Sequence, residues 1–214
     1  MSAEQALAAL REEAGGCRLC PLWKGARQLV FGEGPAPADL MLVGEQPGDQ
    51  EDIQGRPFVG PAGHVLDRAL AAAGLERSSA YVTNAVKHFK FTSYGRRRIH
   101  QKPDRSEIDR CRFWLLREIE IVDPRLIVAM GVTAARGVLG RTITIRRERG
   151  RFRPYPPDRE VYVTIHPSFV LRIEDETAAE AALREFVEDL RRVRMRLEEL
   201  GGRPRGSRAQ QTLL

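Results

Sequence analysis

Cysteine and histidine side chains in this 214-residue chain are spaced as they are in metal sites. Cys17 and Cys20 form a C-x-x-C pair, which brings two thiolates to one ion or cluster and strains a disulfide between them. Cys111 and His88 complete a set of three thiolates and one imidazole. Such a set suits zinc or an iron–sulfur cluster, and spacing alone does not choose between them. The alternative is that Cys111 is a buried helix residue and His88 a phosphate contact.

A strongly basic stretch occupies residues 87–105. It holds seven Lys and Arg against one acid, a local charge of +6 that equals the formal net charge of the whole chain. It also holds His88 and His100. A long basic loop between rigid elements predicts an anionic partner, and nucleic acid is the first candidate. A second basic segment, 141–153, carries six Arg against one Glu, and we expect a pair of short strands or a loop there.

Composition and hydropathy narrow the class of protein. The sequence has no run of about 18 apolar residues and no signal-peptide pattern, so we expect a soluble, cytoplasmic, monomeric protein that does not bind a membrane. With 42% hydrophobic residues, the chain can bury a full core in one domain over residues 1–200. Residues 201–214 are expected to form a disordered basic tail. Three cysteines in an intracellular chain favour a metal site or free thiols.

Short apolar runs alternate with amphipathic stretches along the chain. They predict strands at 39–43, 80–86, 126–130 and 161–165, and helices at 3–13, 61–73, 106–122 and 177–200, with a short helix ending at Gly140. Ser106 is expected to cap its helix. Strands separated by helices predict an α/β fold of three layers, α/β/α, around a central, mostly parallel sheet of about four strands.

Polar side chains follow three of these strands. Glu45 and Gln46 come after the first strand, Asn84 lies near the end of the second, and His166 follows the last. A polar residue at the end of a strand, taken alone, is more often a turn residue with satisfied hydrogen bonds than a ligand-binding residue. Because the carboxyl ends of parallel strands meet at one edge of a sheet, we expect these side chains to converge on a ligand site.

Five motifs carry a resemblance to a known family. They are GEQPGDQED (44–52), GRPFVGPAG (55–63), TNAVKHFKF (83–91), GRRRIH (95–100) and HPS (166–168). Over roughly residues 15–195 the chain resembles the uracil-DNA glycosylase superfamily, and within it the X-type group, relatives of the type 4 iron–sulfur enzymes. Ordinary type 4 members have Cys at the position of His88 and lack the GRRRIH insertion. These two departures point to the X-type group.

The resemblance implies a 4Fe–4S cluster on the four residues of the predicted metal site, too far from the chemistry to be catalytic and serving to hold the basic loop. It also implies that Phe58 stacks on a flipped uracil, that Asn84 bonds its O4 and N3 edge, and that Gln46 belongs to the same uracil site. An amide carries donor and acceptor together, so it matches uracil and mismatches the amino group of cytosine. Phe58 is otherwise a core residue, but among glycines and prolines it has little helix or strand to pack with.

For catalysis the resemblance implies excision of uracil followed by covalent capture. His166 is expected to donate a hydrogen bond to uracil O2, where negative charge develops. His100 is expected to capture C1′ of the sugar, which leaves the protein attached to an abasic site after a single turnover. A nucleophilic imidazole must be neutral, and repulsion by the arginines at 96–98 favours that form. Glu45 is expected to accept the second ring N–H of His100.

The expected partner is uracil-containing DNA, preferably single-stranded, because a base leaves the stack of a single strand at lower cost. The expected DNA-binding side chains are Arg96, Arg97, Arg98, Lys102 and Ser168. Two alternatives remain open. One is an ordinary hydrolytic type 4 uracil-DNA glycosylase with turnover, in which His100 is a phosphate contact. The other is a non-enzymatic nucleic-acid-binding module that contains zinc.

Overall fold

The computed structural model of the chain describes residues 1–201, and within this range the strands form two sheets. The larger sheet is built from β1 (Leu40–Gly44), β2 (Ala80–Asn84), β5 (Leu126–Met130), β6 (Phe152–Tyr155) and β7 (Arg159–Thr164), and a separate hairpin from β3 (Phe91–Tyr94) and β4 (Arg97–His100). The order in the larger sheet is β2-β1-β5-β7-β6. All neighbours are parallel except β6, which runs antiparallel to β7.

Helices cover both faces of the larger sheet. They are α1 (Ala3–Gly15), α2 (Asp49–Gln54), α3 (Pro61–Ala73), α4 (Arg105–Val122), α5 (Val132–Leu139), α6 (Ile145–Glu148), α7 (Ser168–Leu171) and α8 (Glu176–Gly201), and short 3-10 turns lie at Pro21–Lys24 and Arg77–Ser79. Side chains alternate across a strand, so one strand serves two cores. In β1, Leu42 packs with α3 and α8, whereas Met41 packs with α4 and α5. The predicted three-layer α/β/α fold is confirmed.

The sheet has one strand more than the predicted four. The additional strand, β6, lies in and just beyond the Arg-rich segment 141–153, where the short helix α6 precedes it. Pro154 within β6 cannot donate to a ladder, and proline is tolerated at the edge of a sheet because the outer side needs no donor. The expectation of two short strands or a loop is therefore replaced by a helical turn and one edge strand.

The basic stretch 87–105 is more ordered than the predicted long loop. Tyr94 pairs with Arg97 across Gly95, and Phe91 pairs with His100 at the open end, which makes a β-hairpin. The helix that follows is capped by Asp104 and not by Ser106. The Asp104 side chain accepts from the Glu107 N–H at 2.9 Å, and Glu107 accepts from the Asp104 N–H at 2.8 Å.

Two predictions concern the chain ends and the membrane. The expected tail begins at Gly201, which is the last residue of α8; the rest of it, 202–214, lies outside the described residues. None of the helices in residues 1–201 is both long enough and apolar enough to cross a membrane.

Candidate active site

A cavity of ≈ 630 Å³ opens at the carboxyl edge of the larger sheet. The strand order changes direction between β1 and β5, and a sheet of this kind binds ligands at that point. Seven of the side chains predicted from sequence line the cavity: Glu45, Gln46, Phe58, Asn84, His100, His166 and Ser168. The structure therefore brings together residues that are up to 123 positions apart in the chain.

Phe58 forms one wall of the cavity, and two glycines allow it to do so. It is 5% exposed and has a φ of 55°, a conformation that is uncommon for a residue with a Cβ. A Cβ on Gly44 would lie 2.4 Å from Phe58 Cζ, and one on Gly63 would lie 2.0 Å from the Phe58 carbonyl oxygen. Arg77 donates to that oxygen at 3.2 Å. The strained backbone is thus held from both sides, and the ring stays at the cavity wall.

Asn84 lies at the end of β2, with its side chain 2% exposed. Its Oδ1 has no hydrogen-bond partner among the described residues. Its backbone carbonyl accepts from Lys87 Nζ at 2.8 Å. Lys87 also donates to Glu118, and both side chains are 0% exposed. A buried acceptor without a partner is costly unless a ligand supplies the donor, so Asn84 Oδ1 is available for a ligand N–H.

Glu118 is the centre of the polar network beneath Asn84. It accepts from the Gly32 N–H at 3.0 Å, from Tyr81 Oη at 2.9 Å and from Thr83 Oγ1 at 3.1 Å, in addition to Lys87 Nζ. A buried ion pair is stable when hydrogen bonds use its remaining lone pairs and protons. This network fixes the backbone from which Asn84 enters the cavity.

His166 faces the same cavity from the end of β7. Burial, with smaller contributions from Arg172 and His100, lowers the pKa of His166 to about 4, so the ring is neutral near pH 7. Its Nδ1 accepts from the Ser168 N–H at 3.2 Å and lies 2.8 Å from Ser168 Oγ. Arg172 donates to Ser168 Oγ at 2.8 Å, which leaves the hydroxyl proton for Nδ1. Nε2 therefore carries the ring proton, and it has no partner among the described residues.

The mouth of the cavity holds His100 and Glu45. The His100 side chain is 50% exposed, and its Nε2 lies 3.4 Å from Glu45 Oε1. The other carboxylate oxygen accepts from Thr133 Oγ1 at 2.6 Å. Thr133 lies in the first turn of α5, directly after β5, and is 1% exposed. One oxygen of Glu45 is thus fixed by the core, and the other is turned toward the imidazole.

The hairpin that carries His100 is tied to the protein by side chains. Arg98 is paired with Asp52 and, at 2.6 Å, with Asp49, and its guanidinium lies 5.1 Å from the centre of the Phe91 ring. The Gln46 amide donates to the carbonyls of Lys90 and Gln101 and accepts from the Lys90 N–H, so it clamps both ends of the hairpin.

The arginines of the hairpin are not gathered around His100. Arg98 faces two carboxylates, and Arg97 lies at the far end of β4, opposite Tyr94. The expectation that this group of arginines favours the neutral imidazole is therefore not supported by the geometry. Arg96 and Arg97 are exposed and form no ion pair among the described residues, as is also true of Lys102, which leaves them free for phosphate. Their assignment to DNA stays a prediction.

The predicted metal ligands lie in a buried part of the chain. Cys17, Cys20 and Cys111 belong to one apolar cluster, and His88 is 6% exposed. Within residues 1–201, no group of three or more His, Cys, Asp or Glu side chains is arranged to hold a metal ion. Burial raises the pKa of the Cys111 thiol to about 12, although the nearby Lys87 opposes this. Without a bound cation this thiol stays protonated.

Two N–H groups nevertheless point at the cysteine sulfurs. Trp114 Nε1 donates to Cys17 Sγ at 3.1 Å, and the Lys87 N–H donates to Cys111 Sγ at 3.2 Å. Hydrogen bonds to sulfur are a feature of iron–sulfur sites, where they tune the cluster. The three thiols and the imidazole, their burial and the N–H donors to sulfur are chemically compatible with a cluster.

Two features of the site were missed in the sequence. Thr133 follows a buried strand as Glu45 and His166 do, and that position was the available signal. Phe169 and Leu171, on α7 beside His166, are 44% and 51% exposed, and Leu171 lines the cavity. Both side chains are thus accessible to a ligand that enters the cavity.

Comparisons with known proteins agree with this geometry. The model of the uracil DNA glycosylase superfamily matches residues 31–191. A type-4 uracil-DNA glycosylase of Thermotoga maritima is 35% identical over 170 residues, which cover 79% of this chain and 85% of the relative. Its counterpart in Pyrobaculum aerophilum is 35% identical over 76% of this chain and 83% of its own length. That of Archaeoglobus fulgidus is 34% identical over 74% and 80%. This chain therefore belongs to the uracil-DNA glycosylase superfamily.

Proposed function

We propose that this protein excises uracil from DNA and then becomes attached, through His100, to C1′ of the abasic site. The attachment to DNA is supported chiefly by the position of His100 at the cavity mouth, where its Nε2 lies 3.4 Å from Glu45 Oε1. The excision of uracil is supported by the family and by the two unpartnered polar atoms in the cavity. The relatives named above are type-4 uracil-DNA glycosylases.

The edge of uracil complements two unpartnered polar atoms of the cavity, and the edge of cytosine does not. Within residues 1–201, Asn84 Oδ1 lacks a donor and His166 Nε2–H lacks an acceptor, and uracil offers N3–H for the first and O2 for the second. Cytosine has no proton on N3 and carries an amino group at C4, so it would leave Asn84 Oδ1 unpaired and present a donor to the amide nitrogen. Sites built on such hydrogen bonds reject the mismatched ligand strongly. The Phe58 ring supplies the surface on which the flipped base stacks.

The chemistry begins with cleavage of the bond between uracil N1 and C1′. The electron pair leaves with the base, and its negative charge is stabilised by the fixed N–H of His166 at O2. The sugar becomes an oxocarbenium ion. One ring nitrogen of His100 donates its lone pair to C1′, and the proton on the other passes to Glu45. The product is a neutral imidazole bonded to the sugar, a poor leaving group, so turnover stops.

A hydrolytic reaction is the second candidate. The relatives bear the name of type-4 uracil-DNA glycosylases, and a water molecule near Glu45 would reach the same carbon. In that case His100 is a bystander, uracil is released repeatedly, and no protein–DNA adduct forms. The two candidates share base recognition and differ only in the nucleophile.

A denaturing gel separates the candidates. The native protein is mixed with a labelled single-stranded oligonucleotide that contains one uracil, heated in detergent and run beside the His100→Ser variant. We expect a heat-stable shifted band with the native protein and none with His100→Ser, which releases uracil by admitting water. His64→Ser changes an exposed histidine on α3 and should keep the band. An adduct that survives in His100→Ser would overturn the assignment, and repeated turnover by the native protein would favour hydrolysis.

A 4Fe–4S cluster is proposed on Cys17, Cys20, His88 and Cys111. The cluster would supply covalent cross-links between the N-terminal segment and the chain on either side of the hairpin, which is a structural role. Support comes from the buried thiols and the two N–H donors that face their sulfurs. The purified protein should be brown, with a visible absorption band that Cys111→Ala removes. A colourless native protein that contains zinc would refute the cluster.

A further inference from the structure

The hairpin that carries His100 has a second face that takes no part in capture. Residues opposite each other in an antiparallel ladder point to the same side, and the sides alternate along each strand. Phe91 pairs with His100, and two residues farther along the strand Ser93 pairs with Arg98. These two pairs lie on the side of the hairpin that faces the protein. Thr92 with Ile99, and Tyr94 with Arg97, therefore face outward.

Tyr94 is the prominent side chain of this outer face. It is 76% exposed, and among the large hydrophobic residues of the described chain only Met1 is more exposed. Arg97 lies directly across from it, and Arg96 follows in the turn after Gly95. Neither arginine forms an ion pair with a described residue. An aromatic ring beside two unpaired guanidinium groups is the combination that stacks a nucleobase and binds its phosphates.

The distance from the cavity suits a strand that leaves it. Tyr94 lies three residues farther along the hairpin than the pair that contains His100, which corresponds to about 10 Å at about 3.3 Å per residue. At a rise of about 3.4 Å per nucleotide, this is the span of about three stacked nucleotides. A single strand whose uracil occupies the cavity can thus reach the hairpin tip, and its unpaired bases have free faces.

We propose that Tyr94 forms a second binding subsite, which stacks a base about two to four nucleotides from the target uracil, with Arg96 and Arg97 on the adjoining phosphates. The proposal rests on the proposed function for the identity of the nucleic acid. The subsite would help to set the register of single-stranded DNA before excision. An acidic protein surface would also pair with the arginines, but it would have no use for the exposed ring.

A scan with abasic spacers tests the subsite. The probe is a single-stranded 15-mer with a central 2′-fluoro-2′-deoxyuridine, whose glycosidic bond resists cleavage, and each flanking nucleotide is replaced in turn by a tetrahydrofuran spacer. Fluorescence anisotropy gives the Kd. For the native holoprotein we expect about a tenfold loss at one or two adjacent positions on one side. Tyr94→Ala should bind the parent probe about tenfold more weakly and show no such positions. Tyr94→Phe should keep the native profile.

Two further arms keep the result independent of the proposed chemistry. Ile99→Ala removes an apolar side chain that is 48% exposed on the same face and should leave the profile unchanged. A dT 15-mer without uracil should also bind Tyr94→Ala about tenfold more weakly. Adduct formation is measured separately on an unmodified uracil oligonucleotide, so its failure would leave this result standing. The subsite would be overturned if no spacer position weakened binding by the native protein. It would also be overturned if Tyr94→Ala bound both probes as tightly as the native protein does.

Discussion

The two walls of the cavity are held in different ways. The sheet wall carries Asn84 and His166 at the ends of parallel strands, inside the main fold. The hairpin wall carries His100, and within residues 1–201 its two strands pair only with each other. Side chains of Gln46 and Arg98 attach it to the protein. In the proposed reaction, base recognition would therefore belong to the rigid wall and capture to an attached arm.

The cost of moving each wall follows from burial. Beneath the sheet wall, Lys87 and Glu118 are 0% exposed, and separating them would leave a buried charge, at about 3–5 kcal/mol. On the hairpin, the Arg98 side chain is 15% exposed and its partner Asp49 is 43% exposed, so water can replace part of that interaction, whereas its second partner Asp52 is 0% exposed. The hairpin is therefore held by one buried and one exposed carboxylate, while in the pair beneath the sheet wall both partners are buried. We expect substitutions on the two walls to affect recognition and capture separately.

The largest effect is expected on the sheet wall. Asn84→Leu keeps the branching of the side chain, in a somewhat larger group, and removes both partners of the uracil edge. Uracil release and adduct formation should both fall about a thousandfold, because the polar groups of the base would be buried unpaired. Single-turnover rates with a single-stranded oligonucleotide measure both steps. The unfolding midpoint should stay near that of the native protein, since Asn84 Oδ1 has no partner among residues 1–201 to lose. Loss of capture with normal release would refute the shared role.

The second effect is expected on the hairpin wall. Arg98→Met keeps the stem that lies on Phe91 and removes the charge that meets Asp49 and Asp52. Adduct formation should fall about a hundredfold, because a small misplacement of a reacting group costs about that much. Uracil release should fall less than tenfold. Arg97→Met is the matched control: it removes the same charge without an ion pair and should lower affinity but not the rate of capture at saturating DNA.

The outcome of Arg98→Met can also contradict the division of roles. If release falls as much as capture, the hairpin is part of the base pocket and not a separate arm. If neither falls, the ion pairs with the two aspartates do not fix the position of His100.

The third effect concerns pH and the sheet wall. The pKa of His166 is about 4 in the folded protein, chiefly because the ring is buried, and about 6.5 in an unfolded chain. Below about pH 6.5 the His166 imidazole binds a proton in the unfolded chain but stays neutral in the folded protein. The free energy of unfolding therefore decreases as the pH falls. Between pH 7 and pH 5, the free energy of unfolding should fall by about 2 kcal/mol more in the native protein than in a His166→Gln variant. Urea unfolding of both proteins across this range measures it. If the free energy of unfolding changes with pH equally in both proteins, the His166 ring is not buried as described.

The sheet wall was predictable from sequence because its signals are local. Buried runs such as 126–130 read as parallel strands, and strand ends place Asn84 and His166 at one edge whatever the details of packing. The role of Phe58 was predicted from the family resemblance of its motif, and its glycine-rich surroundings argued only against a core position; Gly44 and Gly63 show how the glycines make room for it. The positions of Asn84 and His166 follow from rules that do not depend on long-range partners.

The hairpin wall was not predictable in the same way. The strands on either side of Gly95 are short and mostly polar, so their alternation does not stand out from a loop. Arg98 resembles its neighbours in sequence, and only the folded chain shows that it pairs with Asp49 and Asp52. The role of Gln46 likewise depends on the two ends of the hairpin, Lys90 and Gln101, which lie 44 and 55 residues away in sequence. Such roles are fixed by tertiary contacts.

The smallest effect is expected where the two walls meet, at Thr133. This residue belongs to the fold, but the carboxylate that it holds serves the arm, because Glu45 faces His100 with its other oxygen. Thr133→Val replaces the hydroxyl by a methyl group of similar size. Adduct formation should slow about tenfold, as expected for one hydrogen bond to a charged group, and uracil release should not change. The measurement is the ratio of the two single-turnover rates.

Thr133→Ser distinguishes positioning from packing. Serine keeps the hydroxyl and loses the methyl group, so it should restore the native ratio of capture to release, although it packs less well in the 1% exposed site. If valine and serine slow capture equally, the methyl group matters and the hydrogen bond to Glu45 does not. If valine slows release as well, Glu45 acts on the departing base, and the boundary between the two walls lies elsewhere.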